Sequence, residues 1–188
     1  MTVAIEYGVP TAFELVQYDV SARVAQALAE ASISVSCASV ARFGDVLRIT
    51  FNGEPSAEDV TAIKAIVDVC GLELLRRTRC YEIDARTAAL ISGGYAFAGA
   101  VLSLSLAAQA TLLGFRMLCD TGALAFPVVL STIDNEATVS IANADMLYSL
   151  FETAVITYRG YRDSGVALKL QVGSGATLEA INAVVDSR

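Results

Sequence analysis

A run of twenty-nine residues without a formal charge, between Arg86 and Arg116, constrains the fold of this chain more than any other feature. The run is long enough either to cross a bilayer or to form a large part of a buried core. Gly93–Gly94 would break a membrane helix in its first third, and residues 95–105 alternate in the manner of a strand, a turn and a second strand. We therefore predict a buried hairpin over 95–105 and then a helix over Leu106–Leu118, and we keep a membrane span as the alternative.

The composition indicates a chain that buries more apolar surface than an ordinary soluble domain. Apolar residues make up 55% of the chain and charged residues 18%, against typical shares of roughly 45–50% and about 25%. The net charge is −7, and the densest basic stretch, 76–79, lies between Glu73 and Glu82. Nucleic-acid binding needs clustered cations, so this balance argues against it. We predict a protein whose apolar surface is covered in an assembly.

The residue types needed for common catalytic and metal sites are absent from the sequence. There is no histidine, which removes the most frequent general base and most zinc sites. The four cysteines contain no CxxC pair, so we interpret them as small core residues in a reducing compartment. The acidic pair Glu58 and Asp59 is explained by its place at a helix start. The sequence therefore predicts no catalytic residue, no cofactor, no metal and no enzyme.

The first part of the chain predicts an extended arm and a small α+β module. Residues 1–12 are predicted as an arm, either a free end or a segment lying on a neighbouring subunit. Residues 13–71 then predict the order β-α-β-β-α, which begins with a strand over Phe13–Tyr18. Ser56 is predicted to cap the last helix of this module, and Gly71 to end it.

The second part of the chain predicts a linker over 72–82 and a second module over 83–188. Asp84 is predicted to cap a short helix, followed by a hairpin, a helix, a second hairpin and terminal helices. Tyr158–Asp163 is predicted as a helix end, and the pattern of 166–172 leaves strand and helix open. The predicted fold class is thus α+β with two small modules.

The second module resembles a domain of unknown function that recurs at the C-terminal end of tail-fibre and other virion proteins of tailed bacteriophages. The stretches that carry the resemblance are Ile83–Ile91, an aromatic-glycine hairpin ending in Leu102–Ser105 with Ala108–Gln109, Phe126–Val128, Ser131–Asp134, Arg162–Lys169 and Leu178–Asp186. The chain departs from the family pattern at Thr111–Gly114, where the family tends to carry an aromatic residue and an asparagine. This departure makes the segment more apolar and predicts a surface buried against something else.

The resemblance implies a structural component of a phage particle, made in the host cytoplasm and located in the virion. Such a protein would act by self-association and by docking on neighbouring virion proteins, in the tail or at a fibre attachment; the alternative location is a capsid decoration or cement role. A membrane protein of the holin type, using residues 87–115 as its span, is the alternative of another class. The partners expected for the virion role are further copies of the chain and other virion proteins, without nucleic acid or membrane.

The candidate interface residues are large apolar side chains of the second module. They are Tyr95, Phe97, Leu112, Phe115, Leu147 and Phe151. The arm over 3–13 is a further candidate contact.

Overall fold

The computed structural model describes residues 2–9, 19–31, 33–43 and 46–188. Within these residues the predicted α+β class is confirmed. The elements in chain order are β1 (Val3–Gly8), α1 (Val20–Glu30), β2 (Cys37–Phe43), β3 (Val46–Phe51), α2 (Ala57–Ser92), β4 (Tyr95–Phe97), β5 (Ala100–Leu102), α3 (Leu106–Asp120), β6 (Val128–Ser131), β7 (Thr138–Ile141), α4 (Ala144–Ser174) and α5 (Leu178–Asn182). They fall into two compact units. Unit 1 comprises the described residues up to Glu82 with Lys169–Arg188, and unit 2 comprises Ile83–Leu168.

The sheet of unit 1 has the strand order β1-β3-β2, with both pairs antiparallel. The predicted arm over 1–12 is therefore wrong for Val3–Gly8, which forms a strand of the chain's own sheet. Ile5 and Tyr7 pack against the core of the unit while Glu6 faces outward, which is the period-two pattern of a half-buried strand. Glu6 also pairs with Arg48 across the ladder at 2.5 Å. The predicted strand over Phe13–Tyr18 lies outside the described residues.

The start of α2 is fixed by a buried carboxylate. Ser56 Oγ accepts a hydrogen bond from the Asp59 backbone N–H at 3.1 Å, and the Asp59 carboxylate accepts one from the Ser56 backbone N–H at 3.1 Å. This reciprocal pair is a capping box, and it confirms the predicted cap at Ser56. The same carboxylate accepts from the Ser34 backbone N–H at 3.0 Å and from the Ser34 hydroxyl. Asp59 thus ties the segment before β2 to the first turn of α2.

The hydrogen bonds at Asp59 predict a local dependence of stability on acid pH. Donors from Ser34, and then from Ser56, lower the pKa of Asp59 to about 2. Because this pKa lies below the unfolded value of about 3.9, the stabilisation is complete above that value and is lost as the pH falls through about 2. We expect Asp59→Asn to lower Tm by about 5 °C at pH 7 and to flatten the fall of Tm between pH 5 and 2.

The matched control for this experiment is Glu58→Gln, since Glu58 is the neighbouring acid and is exposed. Both variants remove one negative charge from the first turn of α2. Thermal unfolding followed by circular dichroism across this pH range compares them. Equal Tm profiles for the two variants would contradict the role assigned to Asp59.

Residues 72–82 are helical, so the predicted linker is wrong. α2 passes through Gly71, the predicted helix end, and stops at Ser92. A glycine inside a helix costs about 1 kcal/mol relative to alanine, and burial of further apolar side chains exceeds that cost. Leu74 and Leu75, which follow Gly71, are both buried.

The charged residues of the predicted linker form pairs along the helix. Arg77 contacts Glu73 at 2.8 Å with four-residue spacing, and Arg79 contacts Glu82 at 2.8 Å with three-residue spacing. These are the spacings at which helical side chains become neighbours. Asp84, predicted to cap a new helix, lies inside α2 instead.

The C-terminal residues belong to unit 1, which corrects the predicted single module over 83–188. Arg76 Nη2 donates to the Gly175 carbonyl at 2.8 Å, and Arg79 Nη2 donates to Asn182 Oδ1 at 3.0 Å. Ile181 is fully buried. The chain therefore returns to unit 1 after the 86 residues of unit 2.

Unit 2 contains the two predicted hairpins and the helix between them. β4 pairs with β5 and β6 pairs with β7, each in antiparallel register. Asn143 caps α4, its Oδ1 accepting from the Met146 backbone N–H at 3.0 Å. α4 continues through Tyr158–Asp163, so the helix end predicted there is wrong. Residues 166–172, for which the sequence left strand and helix open, are helical. The core of this unit is formed by residues of both hairpins, α3 and α4.

Candidate docking surface

The six predicted interface residues all belong to the core of unit 2. Tyr95, Leu112 and Leu147 are buried there. The other three, Phe97, Phe115 and Phe151, are half-buried against the same cluster. The sequence thus identified side chains that the fold brings together, but Tyr95, Leu112 and Leu147 are occupied inside the unit and are wrong as surface contacts.

One part of the exposed apolar surface is the side of α3 that faces away from the core of unit 2. Leu112, Phe115 and Cys119 turn toward the core of unit 2. Outward-facing side chains follow a separate stripe, which we name the docking face: Leu106, Ala110, Leu113 and Met117. Of these, Leu106 is 81% exposed, Leu113 50% and Met117 62%. Three large apolar side chains so exposed on adjacent turns are unusual for a surface helix.

The docking face borders an apolar groove of about 360 Å³ between α3 and α4. Ala110 and Leu113 line the groove from α3, and Val155 and Tyr158 line it from α4. Arg159 is the one formally charged residue among its lining residues. The groove is therefore an apolar recess next to an apolar ridge.

A polar network holds α3 against α4 beside this groove. The Arg116 guanidinium stacks on the Tyr148 ring at 4.1 Å, and its Nε donates to both oxygens of Asp120 at 3.1 Å. Tyr148 Oη donates to Asp120 at 2.9 Å and lies 3.6 Å from the Cys119 thiol. The network fixes the spacing of the two helices.

The hydrogen bonds of this network shift the pKa values of two of its members. Hydrogen bonds from Tyr148, and then from Arg116, lower the pKa of Asp120, which stays ionised. Contacts with Cys119 and Asp120 raise the pKa of Tyr148 to about 12, which keeps the phenol protonated at neutral pH. A protonated phenol is a poor general base.

The described residues also bear on metal sites and membrane spans. Among the residues that the structure describes, no group of three or more His, Cys, Asp or Glu side chains is placed to hold a metal ion. In that same part of the chain, every helix is too short or too polar to span a membrane. The uncharged run is divided among the end of α2, the first hairpin and most of α3.

The chain was compared with protein-family models, with curated proteins and with solved structures. None of the three comparisons found a match. The resemblance to the phage virion domain therefore stays a prediction.

The pattern of α3 contained a signal for this surface. A helix with one apolar side needs polar residues on the other, yet α3 carries only Arg116 and Asp120 as charged residues. Its outer side is apolar as well. Within unit 2 the core covers the side that carries Leu112, Phe115 and Cys119.

Proposed function

We propose that this chain is a structural subunit of a tailed-phage particle, acting by docking its α3 face on neighbouring subunits rather than by catalysis. The single observation that carries the proposal is the exposed apolar docking face with its adjoining groove. Buried interface cores are apolar and depleted in charge, as this face is. The phage assignment rests on the resemblance over residues 83–188, which implies a location in the tail or at a fibre attachment.

The large apolar share of the chain supports an assembly role. Exposed apolar side chains also occur outside the docking face, including Ile156 on α4, which is 62% exposed. Contiguous apolar patches of more than a few hundred Å² are uncommon on monomeric proteins and mark interaction sites. A subunit surrounded by neighbours in a particle covers such patches.

Quantitation in purified particles tests this function. We expect the chain to be present in fixed copy number in phage particles purified on a density gradient, as measured by mass spectrometry. Leu113→Glu places a charge at the centre of the docking face and is expected to reduce incorporation by about tenfold or more, because an unpaired buried charge costs more than 1.4 kcal/mol.

The matched control is Val129→Glu on β6. Val129 is 59% exposed, and its neighbour Val128 packs into the core, so the control adds the same charge to an exposed apolar site on another element. Circular dichroism establishes that both variants fold. Absence of the wild-type chain from particles would overturn the virion role, and normal incorporation of Leu113→Glu would overturn the docking face.

A further inference from the structure

We infer that the partner of the docking face is a second copy of this chain, joined by an antiparallel contact between the two α3 helices about a two-fold axis. This inference rests on the proposed function, because it names the occupant of the same face. The observations behind it are the spacing of the docking face and its self-complementary order of side chains.

The spacing of the docking face suits a helix-to-helix seam. Its residues follow one another at intervals of four, three and four positions, from Leu106 to Met117. At 3.6 residues per turn, these positions fall within an arc of about 60°. Intervals of three and four are those of the core positions of paired helices.

The order of side chains makes the face complementary to itself when one helix is reversed. Antiparallel pairing sets Leu106 opposite the partner's Met117 and Ala110 opposite the partner's Leu113. Ala110 lines the groove between α3 and α4, so its small side chain leaves room for the larger leucine to enter from the other copy. A two-fold axis repeats both pairings, as isologous interfaces require.

The charges on α3 do not oppose the antiparallel arrangement. The charged residues of the helix, Arg116 and Asp120, both lie near its C-terminal end and pair with each other. Antiparallel pairing sets them beside the uncharged first turn of the partner's α3, where the positive end of the helix dipole favours Asp120.

The size of the contact sets its expected strength. The docking face extends for about 16 Å along α3, since each residue rises about 1.5 Å. This is small beside the roughly 800 Å² per partner of a stable interface, even with Val155 and Tyr158 of the groove added. We therefore expect a reversible dimer with a dissociation constant in the micromolar range, stabilised further where copies are held side by side.

A charge-rescue series tests both the partner and the orientation. The purified full chain is examined by analytical ultracentrifugation from about 1 to 300 µM, a range that brackets micromolar dissociation constants. Leu106→Glu and Met117→Lys are each expected to weaken dimerisation by about tenfold or more. The double variant L106E/M117K is expected to recover affinity to within about threefold of the wild type, because each glutamate then faces a lysine of the other copy. In a parallel pair, the same double variant sets like charges together.

The variants are chosen so that folding is preserved. Glutamate at the first turn of α3 and lysine near its last turn both suit the helix dipole. Val129→Glu serves as the control and is expected to dimerise like the wild type.

The outcomes of the ultracentrifugation series test the dimer and its orientation separately. A wild-type chain that stays monomeric over the whole range overturns the inference, and if Leu113→Glu is still lost from particles, the proposed function stands with a different partner. If the wild-type chain dimerises but L106E/M117K does not recover the affinity lost in the single variants, the antiparallel arrangement is overturned. A wild-type dimer with loss in both single variants and recovery in the double supports it.

Discussion

Gly94→Ala is expected to destabilise unit 2 by about 2–5 kcal/mol, the sum of a strained backbone and a steric conflict. Gly94 has a φ of +77°, where an L side chain costs roughly 1–2 kcal/mol. A Cβ there would overlap the Leu102 carbonyl oxygen and come within 3.1 Å of Ile133 Cδ1. Neither neighbour can withdraw easily, since Leu102 pairs with Tyr95 and the Ile133 backbone N–H donates to the Val101 carbonyl at 3.0 Å.

The control for this variant is Gly99→Ala in the turn of the same hairpin. Gly99 has a similar φ of +80°, but a Cβ there would meet nothing within 4 Å. We expect this change to cost about 1–2 kcal/mol, which is the cost of the strained backbone without the steric conflict. Hydrogen exchange in increasing urea, resolved to peptides of unit 2, measures both. Similar losses for the two variants would show that the contact with Leu102 is unimportant.

Ile181→Ala is expected to destabilise unit 1 by about 3 kcal/mol, because it removes a fully buried side chain and leaves a cavity. Ile181 lies in α5, which begins where the Thr177 hydroxyl accepts from the Ala180 backbone N–H at 3.1 Å. A Cβ added at Gly175 would approach Ile181 Cγ1 to 2.6 Å, so the side chain fills the space against the chain's own turn. Loss of this contact frees the C-terminal segment from unit 1.

Leu178→Ala on the same short helix provides the comparison. Leu178 is 38% exposed, so its truncation should cost less than about 1 kcal/mol. Hydrogen exchange in peptides of unit 1, measured at increasing urea concentration, gives the unfolding midpoint of each variant. We expect a lower midpoint for Ile181→Ala than for Leu178→Ala. Equal midpoints would mean that α5 does not contribute to the core of unit 1.

The sequence predicted the candidate site only in part. It identified the uncharged run as decisive and placed a helix over Leu106–Leu118, close to the observed α3. The interface residues were predicted from their large apolar side chains. Such side chains are the ones most often buried in a core, and Leu112 and Leu147 are buried. The exposed residues Leu113 and Met117 share the same helix, and the pattern of α3 alone could not separate its two apolar sides.

Local chemistry alone determined several parts of this protein. Ser56 and Asn143 carry the side chains that satisfy the free N–H groups of a helix start, and both cap helices. The alternation around Gly99 produced a hairpin, and the second hairpin followed the same rule. These features depend on residues within a few positions of one another, so they are visible before the chain folds.

Contacts between distant residues decided the rest. β1 is a strand because β3, about forty residues later, offers it a ladder. α2 continues past Gly71 because buried side chains beyond it outweigh the glycine. The C-terminal segment joins unit 1 through Arg76 and Arg79, about a hundred residues earlier in the chain. The elements that pack against one side of α3 likewise determine which side stays exposed. The local sequence pattern of α3 does not distinguish the two sides.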